Sequence, residues 1–353
     1  MTEQHTTIET PRVHDGSTPW RGEIVIDCHL HERPDGRSLI DHLDGAGVTS
    51  ALVLAIGDFQ EDFARLTMSA PGRVAGWARG PYLSDLPALA DDPDRDAFDM
   101  TKVISVRSRQ AIRSVLTAQQ RRGWRGFAET TGAVAVDGPE LQRVYALAAE
   151  LDVPVMMHFQ EAAVPGQPDY GIKGFSRIAS MLSKYPETRF ICHAPDFWGG
   201  IDARYTDGGT YLTGPVPAGG LSDRLLGDYP NMYGDLGAPS ALLQLTRDPE
   251  FTVGFLDRHQ DKLMFGSDCS CTDGKGTPPQ SAPQTATRPT LTETEEIAFD
   301  AEMARAMQAA MAKLGGLAGK CIARELLTVA WESTTRDVFR KVASENAIRV
   351  YGL

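Results

Sequence analysis

The sequence predicts an α/β protein built as a (β/α)8 barrel with a helical C-terminal addition, and three observations carry that prediction. Eight short apolar, β-prone runs alternate with helix-prone segments between residues 24 and 268. Such alternation implies parallel strands joined by helical crossovers, and eight is the number that closes a barrel. The turn after the first run, 29–34, lacks the glycine-rich phosphate loop that an open doubly wound sheet would place there.

The segments follow in order. Residues 1–21 are polar and aperiodic, a loose arm. The first strand, 24–31, reads Ile-Val-Ile-Asp-Cys-His-Leu-His, three apolar residues running out into polar ones. Helix 38–46, strand 49–55, helix 60–68 and strand 73–80 follow, then an Asp- and Pro-rich loop at 84–99, helix 103–122 and strand 124–129. The beat repeats with helix 139–151, which carries Leu141, Val144, Tyr145 and Ala148 on one face, and strand 153–158. A Gly/Pro loop to residue 173, a helix to 185, strand 188–193 and a long loop at 194–219 come next. A short helix to 227, strand 231–235, helical turns over 239–259 and strand 262–268 complete the barrel domain, 22–271. Residues 272–334 read as an insertion that acts as a lid or a dimer contact. Its loop, 272–289, is of low complexity. Thr292 and Glu295 then form a capping box for a helix with Met303, Met307, Met311 and Leu314 on one stripe, and a second helix covers 319–332. A closing helix, 336–346, lies in the last segment, 335–353, and ends in a short Tyr351-Gly-Leu tail.

Composition narrows the function. A formal net charge of −12 over 353 residues disfavours nucleic acid or an anionic membrane as a partner. No run reaches the ~18 apolar residues of a membrane span, and the first twenty residues do not read as a signal sequence, so a cytoplasmic protein is expected. Five scattered cysteines are no disulfide framework. Cys28 and Cys192 read as small core residues, whereas Cys269 and Cys271, beside Asp268, read as reduced loop thiols, with a place near the metal as the alternative.

Catalytic residues of such barrels sit at the carboxyl ends of the strands. His29 and His31 end the first, Glu129 the fourth, His158 the fifth, His193 the sixth and Asp268 the eighth. Imidazoles and carboxylates converging on one mouth suit one or two divalent ions. The other histidines, His5, His14, His42 and His259, fall in the arm, in helices or near a helix end. Alternation along the first strand places Asp27, His29 and His31 on one face, which makes Asp27 a candidate partner for an imidazole N–H, with a buried structural role as the alternative.

This pattern of His29-x-His31, histidines ending the fifth and sixth strands, and Asp268 after Phe265-Gly-Ser resembles the amidohydrolase superfamily. The Phe265-Gly-Ser-Asp phrase and the closing Glu345-Asn-Ala-Ile-Arg-Val-Tyr-Gly resemble its amidohydrolase-related hydrolases and aminocarboxymuconate-semialdehyde-type decarboxylases. The resemblance implies that His29, His31, His158 and Asp268 bind a divalent metal, zinc foremost with manganese and iron as alternatives. It makes His193 a second-metal ligand or a proton-handling group, and Asp268 the group that collects a proton from water made acidic by the metal. Glu129 stands where two-metal members of the superfamily often carry a bridging carboxylated lysine, which favours two ions.

The leading expectation is a hydrolase that cleaves an amide, lactone or ester-like bond of a small organic molecule. The alternative is a one-metal, non-oxidative decarboxylase of an aromatic or unsaturated carboxylic acid. A non-catalytic barrel with a structural ion is the third reading, disfavoured because the ligands ring an open mouth. Arg33 and Arg37 are candidates to hold a substrate carboxylate, and Phe159, Tyr170, Phe197 and Trp198 to wall the substrate. A homodimer is expected.

Overall fold

The computed structural model describes residues 18–33, 36–55, 59–81, 106–162, 169–209, 212–277 and 316–353. Eight strands, β1 (Ile26–His31), β2 (Ser50–Ala55), β3 (Val74–Arg79), β4 (Trp124–Thr130), β5 (Val155–His158), β6 (Phe190–His193), β7 (Met232–Asp235) and β8 (Leu263–Met264), lie side by side in chain order. Every pair is parallel. The seam between β1 and β8 is joined by backbone bonds, Cys28 N–H donating to the Phe265 carbonyl (3.0 Å) and Asp268 N–H to that of His29 (2.8 Å). The molecule is a TIM-type (β/α)8 barrel.

Helices surround it: α1 (Gly36–Ala46), α2 (Gln60–Ser69), α3 (Val106–Gln120), α4 (Pro139–Leu151), α5 (Ile178–Lys184), α6 (Ala194–Gly199), α7 (Leu221–Asp228), α8 (Ala238–Thr246) and α9 (Pro249–Arg258). α4 illustrates why these segments fold as they do. Pro139 opens it, where a missing N–H costs nothing. Leu141, Val144, Tyr145 and Ala148 are buried at helical spacing, and Asp152 ends it in the left-handed conformation with its N–H on the Ala148 and Ala149 carbonyls.

Apolar residues pack in two layers. Outward-facing strand residues such as Val53, Trp77, Phe127 and Phe190 meet the helices. Inside the barrel, Ile26, Cys28, Leu52, Met156, Ile191 and Met264 pack on Ala347, Val350 and Tyr351. Those last residues belong to α12 (Asn346–Tyr351), which follows α10 (Ile322–Ser333), α11 (Arg336–Arg340) and a π-turn at Lys341–Glu345. α12 therefore plugs the end of the barrel away from the strand termini. Asn346, buried, clamps the plug to β8 by donating to the Gln260 and Leu263 carbonyls (2.7 and 2.8 Å).

The structure corrects four expectations. The stretch 194–219 opens with α6 rather than a loop, its first turn started by Pro195. Helix continues through 346–351, because the apolar side of that turn fills the barrel base. β8 ends at Met264, so Asp268 stands four residues beyond it on a turn at φ 48°. β1 shifts register between Asp27 and Leu30, which breaks the simple alternation of its side chains. The arm through residue 17, the loop 84–99 and the methionine-striped helix with its capping box lie outside the described residues. Among the described residues, no helix is long and apolar enough to cross a membrane.

Replacing Asn346 with Ala removes the donor from the buried Leu263 carbonyl and the half-buried Gln260 carbonyl and is expected to lower unfolding free energy by roughly 1–3 kcal/mol. Denaturant titration checks this, and a change below about 0.5 kcal/mol would remove the clamp role.

Candidate metal centre

The carboxyl ends of β1, β4, β5 and β6 bring His29, His31, Glu129, His158 and His193 together, and the turn after β8 adds Asp268. The imidazole rings of His29 and His193 lie 4.4 Å apart, those of His29 and His31 5.3 Å, and those of His158 and His193 5.5 Å. Between the rings stand two carboxylates. Asp268 lies 3.8 Å from His29 Nε2, 3.3 Å from His31 Nε2 and 3.7 Å from His193 Nε2. Glu129 lies 3.7 Å from His31 Nε2 and 3.6 Å from His193 Nε2. These separations exceed ordinary N–H···O bonds of about 2.7–3.2 Å. They run from within to about 0.3 Å beyond the ~3.0–3.5 Å between two ligands that each sit about 2.1 Å from a shared ion.

A residue that sequence reasoning missed orders this arrangement. Asp235, the last residue of β7 and fully buried, accepts from His29 Nδ1 (2.6 Å), His193 Nδ1 (2.5 Å) and the Gly237 N–H (3.0 Å). Burial pushes its carboxyl up, but His193 and His29 outweigh that and hold it far below the usual range. An ionised carboxylate only accepts, so both Nδ1 atoms carry hydrogen and both Nε2 atoms face the mouth. Those two Nε2 atoms are buried and have no hydrogen-bond partner, so each can take a cation or carry a proton toward the mouth. The signal for Asp235 was present: it ends a strand, as His158 and His193 do.

Asp27 takes the structural role of the two expected. Because β1 bulges, its carboxylate takes the backbone N–H of His29 (3.0 Å), not the ring, together with the Ser267 N–H (2.8 Å) and hydroxyl (2.5 Å). It thus ties β1 to the turn that carries Asp268. Burial raises its carboxyl to about 6 despite those donors. Gly266 is required in that turn, since a Cβ there would stand 2.7 Å from the His29 Cβ and 3.0 Å from Asp235 Oδ2.

Charge at the mouth is uneven. Burial works against a charge on His31, yet Asp268 and Glu129 raise its pKa to about 9. His193, buried against Asp235, is also raised well above the ordinary imidazole value. Burial likewise opposes ionisation of Glu129 and Asp268, but the histidines win. His158 above all draws Glu129 down to about 2, and His29, His193 and His31 hold Asp268 well below a normal carboxyl. His158 engages both ring nitrogens, Nδ1 with Glu129 Oε1 (2.5 Å) and Nε2 with Gln160 Oε1 (3.0 Å).

Of the expected substrate contacts, only Tyr170 is at the mouth, its ring 4.9 Å from that of His158. Arg33 is instead committed to the Cys269 and Ser270 carbonyls (3.0 and 3.4 Å), and Arg37 pairs with Asp41 on the exposed surface of α1. Trp198 is fully buried behind the site, its indole N–H on the Asp235 carbonyl (3.2 Å), and Phe159 and Phe197 are likewise buried in the core. Cys269 and Cys271 point away from the mouth toward His42.

A parallel barrel whose strand ends gather imidazoles and carboxylates around one space defines a metal-dependent enzyme architecture. The chain belongs to the Amidohydrolase family, whose profile matches residues 26–353. No protein of curated function matches the sequence. Solved structures of similar fold include a 2,6-dihydroxybenzoate decarboxylase from Rhizobium, 12% identical over 94% of this chain and 98% of that one (TM-score 0.44). A manganese-bound 5-carboxyvanillate decarboxylase from Novosphingobium aromaticivorans is 12% identical over 98% and 99% (TM-score 0.45). A uronate isomerase from Bacillus halodurans is 11% identical over 91% and 69% (TM-score 0.42). These are remote likenesses of fold, and the chemistry rests on the site itself.

Asp235→Asn offers one acceptor where two imidazoles need them. It is expected to weaken binding of a divalent cation by roughly 10–100-fold with the circular dichroism spectrum unchanged; unaltered affinity in chelator competition would contradict the orienting role. The pKa of His31 gives a pH prediction. In the metal-free protein His31 holds its proton below about 9, so a cation that takes His31 as a ligand must displace it. Affinity should fall as pH drops from about 9, with proton release measurable by calorimetry in buffers of different ionisation enthalpy. His31→Gln should abolish that part of the release.

Proposed function

We propose that this chain is a metal-dependent lyase that removes the carboxyl group of an aromatic or unsaturated carboxylic acid without redox chemistry, using one divalent cation at the barrel mouth. The observation that carries the reading is the division among the imidazoles. His29 and His193 turn unpartnered Nε2 atoms toward Asp268, whereas His158 is satisfied by Glu129 and Gln160. One set of open donors suits one ion, held by His29, His31 and Asp268. Nitrogen and oxygen donors of this kind take zinc, manganese or iron. When bound, the cation supplies positive charge that anchors and polarises a substrate oxygen.

The chain's own groups then meet the needs of decarboxylation. The C–C bond to the carboxyl carbon breaks, carbon dioxide leaves with the carboxyl oxygens, and the electron pair stays on the substrate carbon. That carbon needs a proton. His193, kept protonated by Asp235 and aimed at the mouth through Nε2, is the donor, and solvent restores its proton after release. Tyr170 gives the pocket an aromatic face.

The second reading is a two-ion hydrolase of an amide, lactone or ester-like bond. It rests on the grouping of Glu129, His158 and His193 as a second set of donors beside His29, His31 and Asp268. A bridging Glu129 would join the two sets.

Glu129→Gln separates the readings. Under the lyase reading elemental analysis finds the same metal content per chain as in the parent, and a panel of hydroxylated benzoates and unsaturated acids includes one that releases carbon dioxide. Loss of one ion in the variant, with esters or lactones cleaved and no acid decarboxylated, would replace the lyase by the hydrolase. His193→Gln should lower kcat by roughly 10²–10⁴-fold while metal content holds.

A further inference from the structure

A second cluster of metal-binding side chains lies outside the barrel mouth. Cys269 and Cys271 come from the turn after Asp268, Cys321 from the N-terminal end of α10, and His42 from the middle of α1. All are at least 95% buried. Cys269 Sγ is 3.4 Å from Cys271 Sγ and 3.8 Å from Cys321 Sγ, and Cys271 Sγ is 3.4 Å from His42 Nδ1. A tetrahedral zinc with bonds of about 2.3 Å to sulfur and 2.0–2.1 Å to nitrogen sets its ligands roughly 3.8 Å apart for two sulfurs and 3.6 Å for sulfur and nitrogen. Three of the six edges are thus within about 0.4 Å of that tetrahedron, and all four ligand atoms lie within 4.8 Å of one another.

The surroundings are built for thiolates. The backbone of Gly274 and Gly276 runs beside the Cys271 sulfur. The Arg33 guanidinium, holding the Cys269 and Ser270 carbonyls, brings positive charge beside a centre in which three thiolates outweigh one dication. Fit is close: a Cβ on Gly45 would overlap the Asp273 carbonyl, and one on Gly274 the backbone of His42 and Ala46. An odd number of thiols with a histidine is also a poor fit to a disulfide. Cys28 and Cys192, the remaining cysteines, are buried elsewhere in the core.

We propose that His42, Cys269, Cys271 and Cys321 form a structural zinc site, separate from the barrel-mouth centre. It joins α1, the turn that carries Asp268 and α10, and links thiols 52 positions apart in the chain. Three thiolates and an imidazole in a closed, buried tetrahedron select zinc over the harder cations.

Cobalt substitution tests this on the full chain. Thiolate–cobalt bonds absorb in the near ultraviolet, whereas the mouth offers only nitrogen and oxygen, so the signal is independent of how many ions the mouth binds. The expected result is a sulfur-to-cobalt charge-transfer band that saturates at one equivalent per chain. Cys271→Ser and Cys321→Ser should each lose the band and one equivalent of zinc. His42→Cys should keep the band and intensify it, which reports on the site even if the serine variants do not fold. Absence of the band in the parent, its persistence in both folded serine variants, or a Cys269–Cys271 disulfide in freshly purified protein would overturn the assignment.

Discussion

The Asp235 carboxylate, buried between two imidazoles, is the interaction on which the rest of the mouth depends. It sits on β7, one strand from β6 and two from β1 across the closed seam, and reaches both His193 and His29. Burying an unpaired carboxylate would cost several kcal/mol. Here three N–H groups satisfy it, and in return it fixes which nitrogen of each ring carries hydrogen. Both rings thereby present the same kind of atom to the same space. A barrel gives such a residue its reach, because neighbouring strand ends are about 4.8 Å apart.

A second anchor works through the backbone. Asp27 holds the His29 N–H and both donors of Ser267, so the strand with two of the imidazoles and the turn with Asp268 move as one body. Asp268 itself adopts φ 48°, a conformation that non-glycine residues rarely take and that its N–H bond to the His29 carbonyl helps to hold. The side chain that matters most after β8 is thus placed by its neighbours rather than by a strand.

Much of this was legible in the sequence. Every strand and most helices could be located because the apolar runs and the helix faces have different periods, and α4 was bounded to the residue. His29, His31, Glu129, His158, His193 and Asp268 stood out because reactive side chains ended apolar runs where a barrel needs them. Asp235 satisfied the same rule and was passed over, since a lone aspartate before Leu-Gly-Ala-Pro also reads as a helix entry. The bulge in β1 left no mark in the sequence, so of the two roles open to Asp27, partner of an imidazole or buried structural group, only the fold selects the second. Arg33 looked like a substrate contact because a loop arginine's partner is invisible without the fold. The cysteine cluster was equally hidden: His42 and Cys271 lie 229 positions apart, and only the closure of the barrel brings them together.

That closure has a consequence for how the protein forms. The bonds from Asp27 to Ser267 span 240 positions, nearly the full circumference of the barrel domain. Contacts of such sequence separation form after local helices and neighbouring strand pairs, because the entropy of closing so long a loop must be met first. His29 and Asp268 lie on opposite sides of that seam, so an open, seven-eighths assembled intermediate lacks a complete ligand set. Cation binding at the mouth is therefore confined to the closed chain, and mass action makes the ion a thermodynamic lock on the last step of folding.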